Sequence, residues 1–417
     1  MVSDIPKERV LDNTISVLAE GYQFMSNRRI RLKSDIFETR LMGQRAISIC
    51  GEEAAKLFYD NDRFIRKGVV PKRIQKSLFG ESGVQLLDGE EHRHRKQMFM
   101  SIMTHERLHD LAQITKRQWN ARITDWEQRD KVVLFDEAEE VLCRVAFEWA
   151  GVPLKEEDVE KRAIEMGKMI DAIGGVGERY QRGKNARIRS EEWIMGIIDQ
   201  IREGSITPNA ETAAAVIAFH KNQDGKLLDT QTAAVELINI LRPIIAVGRF
   251  ITFGALALHD NPDIQTKLKT DHGRYGLMFV QEVRRYYPFA PFLGAKVKES
   301  FTWNDYEFKK GTLVLLDLYG TNHDPSIWDH PENFQPDRFA DWKESPFSFI
   351  PQGGGDYDRG HRCAGEWATI NIMKASLEFL TKQITYEVPE QDLTYNLIRI
   401  PSLPKSGFII NHVKRLS

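Results

Sequence analysis

Cys363 is the residue of this sequence with the most evident chemistry, because a glycine-rich segment precedes it and a predicted helix follows it. The segment, residues 351–366, reads PQGGGDYDRGHRCAGE. Backbone N–H groups at the start of a helix are unpaired and favour an anion, so we predict that the pKa of the Cys363 thiol is lowered. The glycines would let the backbone pass close to a flat, bulky ligand.

Four kinds of cysteine fit this setting: an inert buried thiol, a nucleophile, a zinc ligand and the axial thiolate of a haem. Zinc is disfavoured because no second cysteine lies nearby, and because His361 is only two residues away. The glycines also lack the strand–GxGxxG–helix context of a dinucleotide site. The loop alone does not distinguish among an inert thiol, a nucleophile and the axial ligand of a haem.

Arg242 is the second residue with a chemical implication, because it lies in the apolar stretch ILRPIIA. An unpaired guanidinium in such surroundings costs several kcal/mol, so an anion must meet it. That anion is either a carboxylate of another helix or a substrate carboxylate held by two hydrogen bonds. Pro243 removes a backbone donor and kinks the helix, which opens space beside the arginine.

The composition predicts a globular protein with a substantial core. The chain has 417 residues, of which 41% are hydrophobic and 28% charged, and 58 basic against 60 acidic residues give a net charge of −2. This balance excludes a disordered chain and a global basic field for nucleic acid. Three widely separated cysteines argue against disulfides and favour a reducing, cytoplasmic location. The N-terminal residues lack an apolar stretch, so neither a signal peptide nor a membrane anchor is predicted.

The elements that position these residues are predicted to be mainly helices, with strands only late in the chain. Residues 237–258 are long and apolar enough to span a bilayer, but Arg242, Pro243 and Arg249 favour one long buried helix. Thr104 is predicted to cap a second helix. Other expected elements are a helix that begins near Asp136 and Glu139 and ends at Ala150 before Gly151, a helix over 278–287 that ends at Pro288, strands within 301–318 with turns at Asn304-Asp305 and Lys310-Gly311, a helix over 365–380, and a solvated loop or partner surface over 174–189.

Three motifs occur in an order that is more specific than any one of them. Glu282 and Arg285 lie three residues apart on one helix face, Arg338 follows in PDRF, and the Cys363 loop comes last. This ordered set resembles the cytochrome P-450 superfamily over essentially the whole chain. The resemblance implies a mainly α fold with a small β portion, as one haem-thiolate domain over residues 1–417.

The resemblance also implies roles for individual residues. Glu282, Arg285 and Arg338 would form a buried charge triad on the haem side, and Cys363 would be the proximal ligand of the iron of haem b. The remaining haem contacts implied are His92 and Lys96, within EEHRHRK, together with Arg66 and His361. From spacing alone, His92 and Lys96 would be read as a solvated basic face.

One departure from the superfamily pattern is informative. A typical member carries an acid–alcohol pair on its central helix, and here Arg242 and Pro243 stand in its place. The Arg-Pro pair resembles the bacterial fatty-acid peroxygenase branch. That branch implies oxidation of long-chain fatty acids by hydrogen peroxide at the α or β carbon, with decarboxylation to a terminal alkene as a further product route. Arg242 would hold the substrate carboxylate, which then serves as the acid–base group.

The same resemblance implies a substrate channel and no requirement for a redox partner protein. Gln85 would flank the near end of the substrate and favours hydroxylation, since some decarboxylating relatives carry His there. The other implied substrate contacts are Arg242, Pro243, Phe79, Ile170, Phe289 and Phe292. Two alternatives remain at this point: a conventional monooxygenase with separate redox partners, and a haem sensor or fatty-acid carrier without catalysis.

Overall fold

The structure, a computed structural model, describes residues 3–270 and 273–416. The α-helices of this part are α1 (Thr14–Glu20), α2 (Gln23–Leu32), α3 (Glu52–Phe58), α4 (Lys72–Ile74), α5 (Gly89–Ile102), α6 (His105–Trp126), α7 (Leu134–Ala150), α8 (Val159–Asp171), α9 (Gly177–Arg202), α10 (Ala213–Ala218), α11 (Thr230–Ala246), α12 (Gly248–Asp260), α13 (Pro262–Thr270), α14 (Arg274–Tyr286), α15 (Leu318–Asn322) and α16 (Glu366–Lys382). A π-helical turn, Gln75–Phe79, continues α4, and a short 3-10 turn covers Val84–Leu86. The mainly helical fold class is confirmed.

The strands of the described residues form three small sheets. They are β1 (Ile36–Leu41), β2 (Gln44–Ile49), β3 (Phe64–Ile65), β4 (Val132–Val133), β5 (Phe292–Val297), β6 (Phe301–Trp303), β7 (Tyr306–Phe308), β8 (Leu313–Asp317), β9 (Ile384–Glu387) and β10 (Ile409–Arg415). The five-stranded sheet has the order β1-β2-β8-β5-β3, with β2 and β8 parallel and Ile47 opposite Val314. The others have the orders β4-β10-β9 and β6-β7.

The core lies where α6, α7, α11, α12 and α16 pack together. Its largest side chains are aromatic: Trp119 stacks on Phe379 with ring centroids 5.1 Å apart, and Trp126 meets both edge-on. The indole N–H of Trp119 donates to Ser376 Oγ at 2.8 Å, so the burial of this polar group is compensated. This packing fixes the position of α11, which carries Arg242, and of α16, which follows Cys363.

The apolar stretch near the middle of the chain is a core element. Residues 230–260 are the only helical run in the described chain that is long and apolar enough to cross a membrane, and 94% of their most apolar window is buried inside the protein. The stretch is divided in two, α11 and α12, rather than being the single helix predicted. At the division, Val247 N–H bonds to Ile244 O, three residues back, in a tightened turn that follows Pro243 and precedes Gly248.

Two predicted helix ends are confirmed and one predicted start is wrong. Thr104 Oγ1 accepts from Arg107 N–H and caps α6, and Gly151 follows α7 in the left-handed conformation. However, α7 begins at Leu134, so Asp136 lies inside its first turn. The reason is that the N–H groups of Leu134 and Phe135 donate to the carbonyl groups of residues 408 and 407, so no side-chain cap is needed.

Two other predictions are corrected by the structure. Strands are not confined to the end of the chain, because β1 and β2 form an early hairpin with Met42 and Gly43 at its turn. Residues 177–189 are not a solvated loop but the first half of α9. Gly183 of that helix packs against Ala172, and Arg187 is fully buried. The many charged residues of this stretch obscure the helical pattern of its buried side chains.

The helices predicted over 278–287 and 365–380 are confirmed, with shifted bounds, and so are the two late turns.

Asp317, at the end of β8, supports a prediction about pH. Its Oδ1 accepts Gly320 N–H at 2.7 Å, whereas Oδ2 is buried without a partner among the described residues. Burial raises the pKa of this carboxyl to about 7. Because the folded pKa exceeds the unfolded one, the carboxyl favours folding when protonated, and stability falls as pH rises from about 4 to about 7.

We therefore expect Asp317→Asn to raise the free energy of unfolding by roughly 1–3 kcal/mol at pH 8, and to have little effect at pH 4. Urea unfolding at the two pH values measures this. Asp229→Asn is the matched control, because Asp229 caps α11 through Thr232 N–H and its pKa is lowered by hydrogen bonds that outweigh burial. That variant should lose stability at pH 8. A gain for Asp317→Asn that is equal at both pH values would contradict the prediction.

Candidate functional site

The glycine-rich loop places Cys363 three residues before α16. Gly353 and Gly355 have φ values of 87° and 81°, a conformation that favours glycine. A side chain at Gly354 would collide with the carbonyl oxygen of Pro346. A side chain at any of these three positions would therefore be strained or would collide, which explains why each of them is glycine.

Gln352 is a polar partner of Cys363. Its carbonyl oxygen accepts Cys363 N–H at 3.3 Å, and its Nε2 lies 3.9 Å from the sulfur. The same Nε2 donates to Thr369 Oγ1 of α16 at 3.0 Å, while Oε1 accepts from Arg284. These contacts fix the cysteine between the loop and two helices, α14 and α16.

The predicted lowering of the thiol pKa is not what the protein alone produces. Burial raises the pKa of Cys363, and the positive charge of Lys96 only partly opposes that effect. The backbone N–H of Gly365 also acts against the effect of burial, but burial is the larger effect. A metal ion bound to the sulfur would lower this pKa, because metal binding deprotonates its ligands.

Four predicted haem contacts lie together beside this loop. The His92 and His361 rings stack with centroids 3.8 Å apart, and Lys96 Nζ donates to the carbonyl oxygen of Arg362 at 2.5 Å. Arg66 donates through Nη2 to the carbonyl oxygen of Phe58, while its buried Nη1 has no partner among the described residues.

The electrostatics of this cluster favour a bound anion. Burial and the nearby cation Lys96 lower the pKa of His92 to about 4. Burial, Arg66 and the neighbouring histidine lower that of His361 to about 2. Asp88 lies 3.9 Å from His361 Nε2 and is partly exposed. A cluster of donors with one partly exposed carboxylate can accept further negative groups, such as two propionates.

The predicted charge triad is assembled on α14. Glu282 and Arg285 form a fully buried pair at 2.7 Å, and Arg338 Nε lies 3.1 Å from the same carboxylate. The carboxylate also accepts Gln335 N–H at 2.8 Å. The two arginines donate further to backbone carbonyl groups of the segment around residue 333. The triad therefore ties α14 to the irregular segment that leads to the Cys363 loop.

Arg242 lies on α11 as a buried cation with a single hydrogen-bond partner among the described residues. Its Nη2 donates to Asn239 Oδ1 at 3.2 Å, and its buried Nε is unpaired. No described carboxylate lies within ion-pair distance of it. Burial lowers the pKa of this guanidinium to about 9, and the positive charge of Arg187 contributes. The group therefore remains a cation near neutral pH and lacks a counterion.

Phe79 lies close to this cation, and Gln85 lies beside its hydrogen-bond partner Asn239. The guanidinium carbon of Arg242 lies 5.8 Å from the centre of the Phe79 ring. Gln85 Oε1 lies 3.5 Å from Asn239 Nδ2. Gly80, with φ 81°, allows the π-helical turn to pass against Val235 of α11, where a side chain would collide.

Two of the other predicted channel residues, Phe289 and Phe292, pack against different hydrophobic clusters. Phe289 packs against the central cluster and stacks on Phe250 of α12 at 4.5 Å, while Ile170 is buried near the end of α8. Phe292 packs instead against the cluster that contains Phe24 and Phe37 beside the first sheet. The structure thus does not place Phe292 with Phe289 on one wall. Pro243 is partly exposed inside α11, beside Arg242.

Sequence reasoning missed three residues of this site: Asn239, Arg187 and Gln352. Asn239 lies between Glu236 and Arg242 at spacings of three in an apolar helix, which is a visible signal for polar groups on one face. Arg187 donates to the carbonyl oxygen of Leu78 from α9, a contact that no local pattern predicts. Gln352 carries no pattern beyond its position beside the glycines.

The arrangement around Cys363 fits a haem. The described residues contain no group of three or more His, Cys, Asp or Glu side chains that could hold a metal ion, so a tetrahedral zinc site is not assembled around the sulfur. A lone cysteine beside a cluster of basic side chains, in which Arg66 Nη1 is buried without a partner among the described residues, suits an axial thiolate and the carboxylate-bearing edge of a porphyrin.

Comparison with known proteins gives consistent results. The family model described as cytochrome P-450 matches residues 251–397. The curated protopanaxadiol 6-hydroxylase of Panax ginseng is 22% identical, over 84% of this chain and 79% of its own length.

Solved structures are much more similar. Cytochrome P-450EX alpha (CYP152N1) with myristic acid is 48% identical, with a TM-score of 0.96 and coverage of 99% of this chain and 100% of that one. A variant of cytochrome P-450 OleT in complex with arachidonic acid is 40% identical, with a TM-score of 0.97 and coverage of 100% and 99%. Cytochrome P-450SP alpha (CYP152B1), as a variant, is 44% identical, with a TM-score of 0.95 and coverage of 97% and 100%.

Proposed function

Because the chain belongs to the cytochrome P-450 superfamily, within its CYP152 family of fatty-acid peroxygenases, we propose that it oxidises long-chain fatty acids with hydrogen peroxide. The main products would be α- or β-hydroxy acids, and decarboxylation to a terminal alkene is a second route. The observation that carries the proposal is Arg242, a buried cation without a counterion among the described residues.

Arg242 would bind the carboxylate of the fatty acid. The guanidinium has a free Nε and a fixed Nη2, so it can donate two parallel hydrogen bonds to a carboxylate. A bound carboxylate would also provide the missing counterion and remove the cost of a lone buried charge. Apolar side chains such as Ile170 and Phe289 would cover part of the alkyl chain.

The same carboxylate would act as the acid–base group. The central helix offers Arg242 and Pro243 where an acid and an alcohol would be needed, so the protein provides no proton carrier at that place. A positioned acid–base group contributes about 10²–10⁴ in rate. Recognition and reactivity would therefore depend on one group of the substrate.

When bound, the haem supplies an iron centre that activates peroxide and oxidises a C–H bond. Cys363 would hold the iron through its sulfur, and Gln352 would orient that sulfur. Arg66, His92, Lys96 and His361 would bind the propionates. We propose haem b, since the three cysteines do not form the C-x-x-C-H motif of covalent attachment.

Hydrogen peroxide would be the only oxidant needed, and no redox partner protein would be required. The three cysteines are free, two of them buried, which suits a reducing cytoplasm. The buried position of residues 230–260 agrees with a protein outside the membrane. We therefore propose that the protein is cytoplasmic.

The test is turnover of myristic acid by the purified holoprotein with hydrogen peroxide alone, followed by mass spectrometry of the products. We expect hydroxymyristic acid as the main product. The matched control, 1-tetradecanol, should react about 10²–10⁴-fold more slowly, because it lacks the carboxylate. A short carboxylic acid added with the alcohol should restore part of the rate.

Two results would overturn the proposal. Turnover only with NADPH and surrogate redox proteins would identify a conventional monooxygenase. Recovery of unchanged myristic acid after peroxide addition would identify a carrier or sensor.

A further inference from the structure

Three polar side chains follow one face of the otherwise apolar helix α11. Glu236, Asn239 and Arg242 are spaced by three residues, so they form a row along the helix. All three are buried: Glu236 has no exposed surface, and the other two have 7% and 6%. Two opposite charges thus stand on one buried face, separated by a neutral amide.

Asn239 has contacts that favour one orientation of its amide. Its Oδ1 accepts from Arg242 Nη2 at 3.2 Å. Its Nδ2 donates to Glu236 Oε2 at 3.1 Å and to the carbonyl oxygen of Phe79 at 3.0 Å. The reversed amide would face these two oxygens with its own oxygen, and the guanidinium with its NH₂ group. Glu236 therefore helps to direct the amide oxygen at Arg242.

The charge of Glu236 is compensated from another helix. Arg95 of α5 donates through Nη1 to Glu236 Oε1 at 2.8 Å, and the two side chains are 5% and 0% exposed. Arg95 Nη2 donates further to Asn222 Oδ1 at 3.2 Å. The only carboxylate in the polar row is thus neutralised by Arg95 and not by Arg242.

From this arrangement, and on the basis of the proposed function, we infer that Arg95 and Glu236 are positioning residues for the substrate carboxylate. Glu236 orients Arg242 through the neutral amide of Asn239, and Arg95 prevents the charge of Glu236 from opposing the incoming anion. The amide oxygen of Asn239 accepts a hydrogen bond from Arg242 but carries no net negative charge. Arg242 therefore stays oriented and still lacks a counterion until the fatty acid binds.

Removal of Arg95 gives a signed expectation. Glu236 and Arg242 are six residues apart, about 9 Å along the helix axis. Burial raises the pKa of the Glu236 carboxyl, so the titrations are made at alkaline pH, where an ionised and uncompensated carboxylate at that distance repels a bound anion in the protein interior. Arg95→Gln should weaken myristate binding roughly ten-fold, about 1.4 kcal/mol. The uncharged 1-tetradecanol should bind as before.

The double variant Arg95→Gln with Glu236→Gln is the decisive rescue. It removes both charges but retains a side-chain oxygen that can accept from Asn239. We expect its myristate affinity to return to within about three-fold of the wild type. A merely structural role for the pair would leave the double variant as impaired as the single one, with both ligands affected.

Asn239→Asp tests the neutral spacer independently. It would place a carboxylate directly on Arg242, and we expect at least a roughly ten-fold loss of myristate affinity with unchanged alcohol affinity. Arg28→Gln is the matched control, since Arg28 and Glu8 form a buried pair at 2.7 Å, with side chains 4% and 5% exposed, near the N-terminus. It should alter neither ligand.

The measurement is calorimetric titration of the holoproteins with both ligands, together with kcat and KM for peroxide-driven turnover. Arg95→Gln should raise KM more than it lowers kcat. An unchanged ratio of acid to alcohol affinity in Arg95→Gln and Asn239→Asp would overturn the inference. If Arg95→Gln fails to fold, Asn239→Asp and the double variant still decide it. A wild type that does not prefer the acid would instead refute the proposed function.

Discussion

Replacing Arg242 with alanine is expected to lower peroxide-driven oxidation of myristic acid by about 10²–10⁴-fold, while haem binding is retained. The reason is that the substrate carboxylate loses its binding group and, with it, the position from which it can transfer a proton. Added short acids should not rescue this variant, because they need the same guanidinium. Product formation per haem, measured by mass spectrometry, gives the result.

Two further variants define that expectation. Arg242→Lys keeps a positive charge but loses the planar pair of donors, so its rate should fall between those of the wild type and Arg242→Ala. Arg249→Lys is the control, since Arg249 is a buried arginine on the next helix that already lies 3.6 Å from Glu139. Near wild-type turnover by Arg242→Ala would remove the carboxylate site from the mechanism.

Loss of the thiolate haem signature is the expected result for Cys363→Ala. Without the sulfur, the iron has no thiolate ligand, so the characteristic spectrum of the carbon monoxide complex should disappear and peroxide-driven turnover should be lost completely. Burial raises the pKa of this thiol, and a bond to iron would stabilise the thiolate against that effect. Absorption spectroscopy of the reduced carbon monoxide complex measures the effect.

The other two cysteines are suitable controls. Cys50 and Cys143 are free and buried, and burial raises the pKa of both thiols. Cys50→Ala and Cys143→Ala should therefore keep the thiolate spectrum and lose only packing. An unaltered spectrum in Cys363→Ala would refute the assignment of the iron ligand.

The parts of this protein that could be predicted from sequence are those set by short, local patterns. The capping of α6 by Thr104 and the end of α7 at Gly151 depend on neighbouring residues alone. The pairing of Glu282 with Arg285 follows from their spacing on one helix. The sequence also places a cation within an apolar helix, and that combination predicts a buried group in need of an anion.

The wrong predictions concern groups whose surroundings are set by residues distant in the sequence. Sequence patterns place the start of α7 too late, because backbone carbonyl groups from residues 407 and 408 cap this helix. The many charges in the first half of α9 predict a loop, although one face of this helix packs on Ala172 and buries Arg187. The position of Cys363 before a helix predicts a lowered pKa, whereas burial outweighs the backbone dipoles near the sulfur and raises it.

The network behind Arg242 was missed for a related reason. Its partners come from α5, from α11 and from the turn that carries Phe79, and only the α11 members share a sequence pattern. Their spacing shows that Glu236 and Arg242 lie on one face. It does not show that Arg95 neutralises Glu236, which decides whether Arg242 is available to a ligand.

The cap of α7 has a consequence for how the chain folds during its synthesis. The helix emerges from the ribosome about 270 residues before the segment that satisfies its first N–H groups. Until that segment arrives and β10 pairs with β4, the middle of the nascent chain has an unfinished helix beneath its central aromatic cluster. Contacts between segments so far apart in sequence make folding slow and expose apolar surface meanwhile. Intermediates that lack residues 407–415 would therefore leave the first N–H groups of α7 without partners and part of the apolar core exposed.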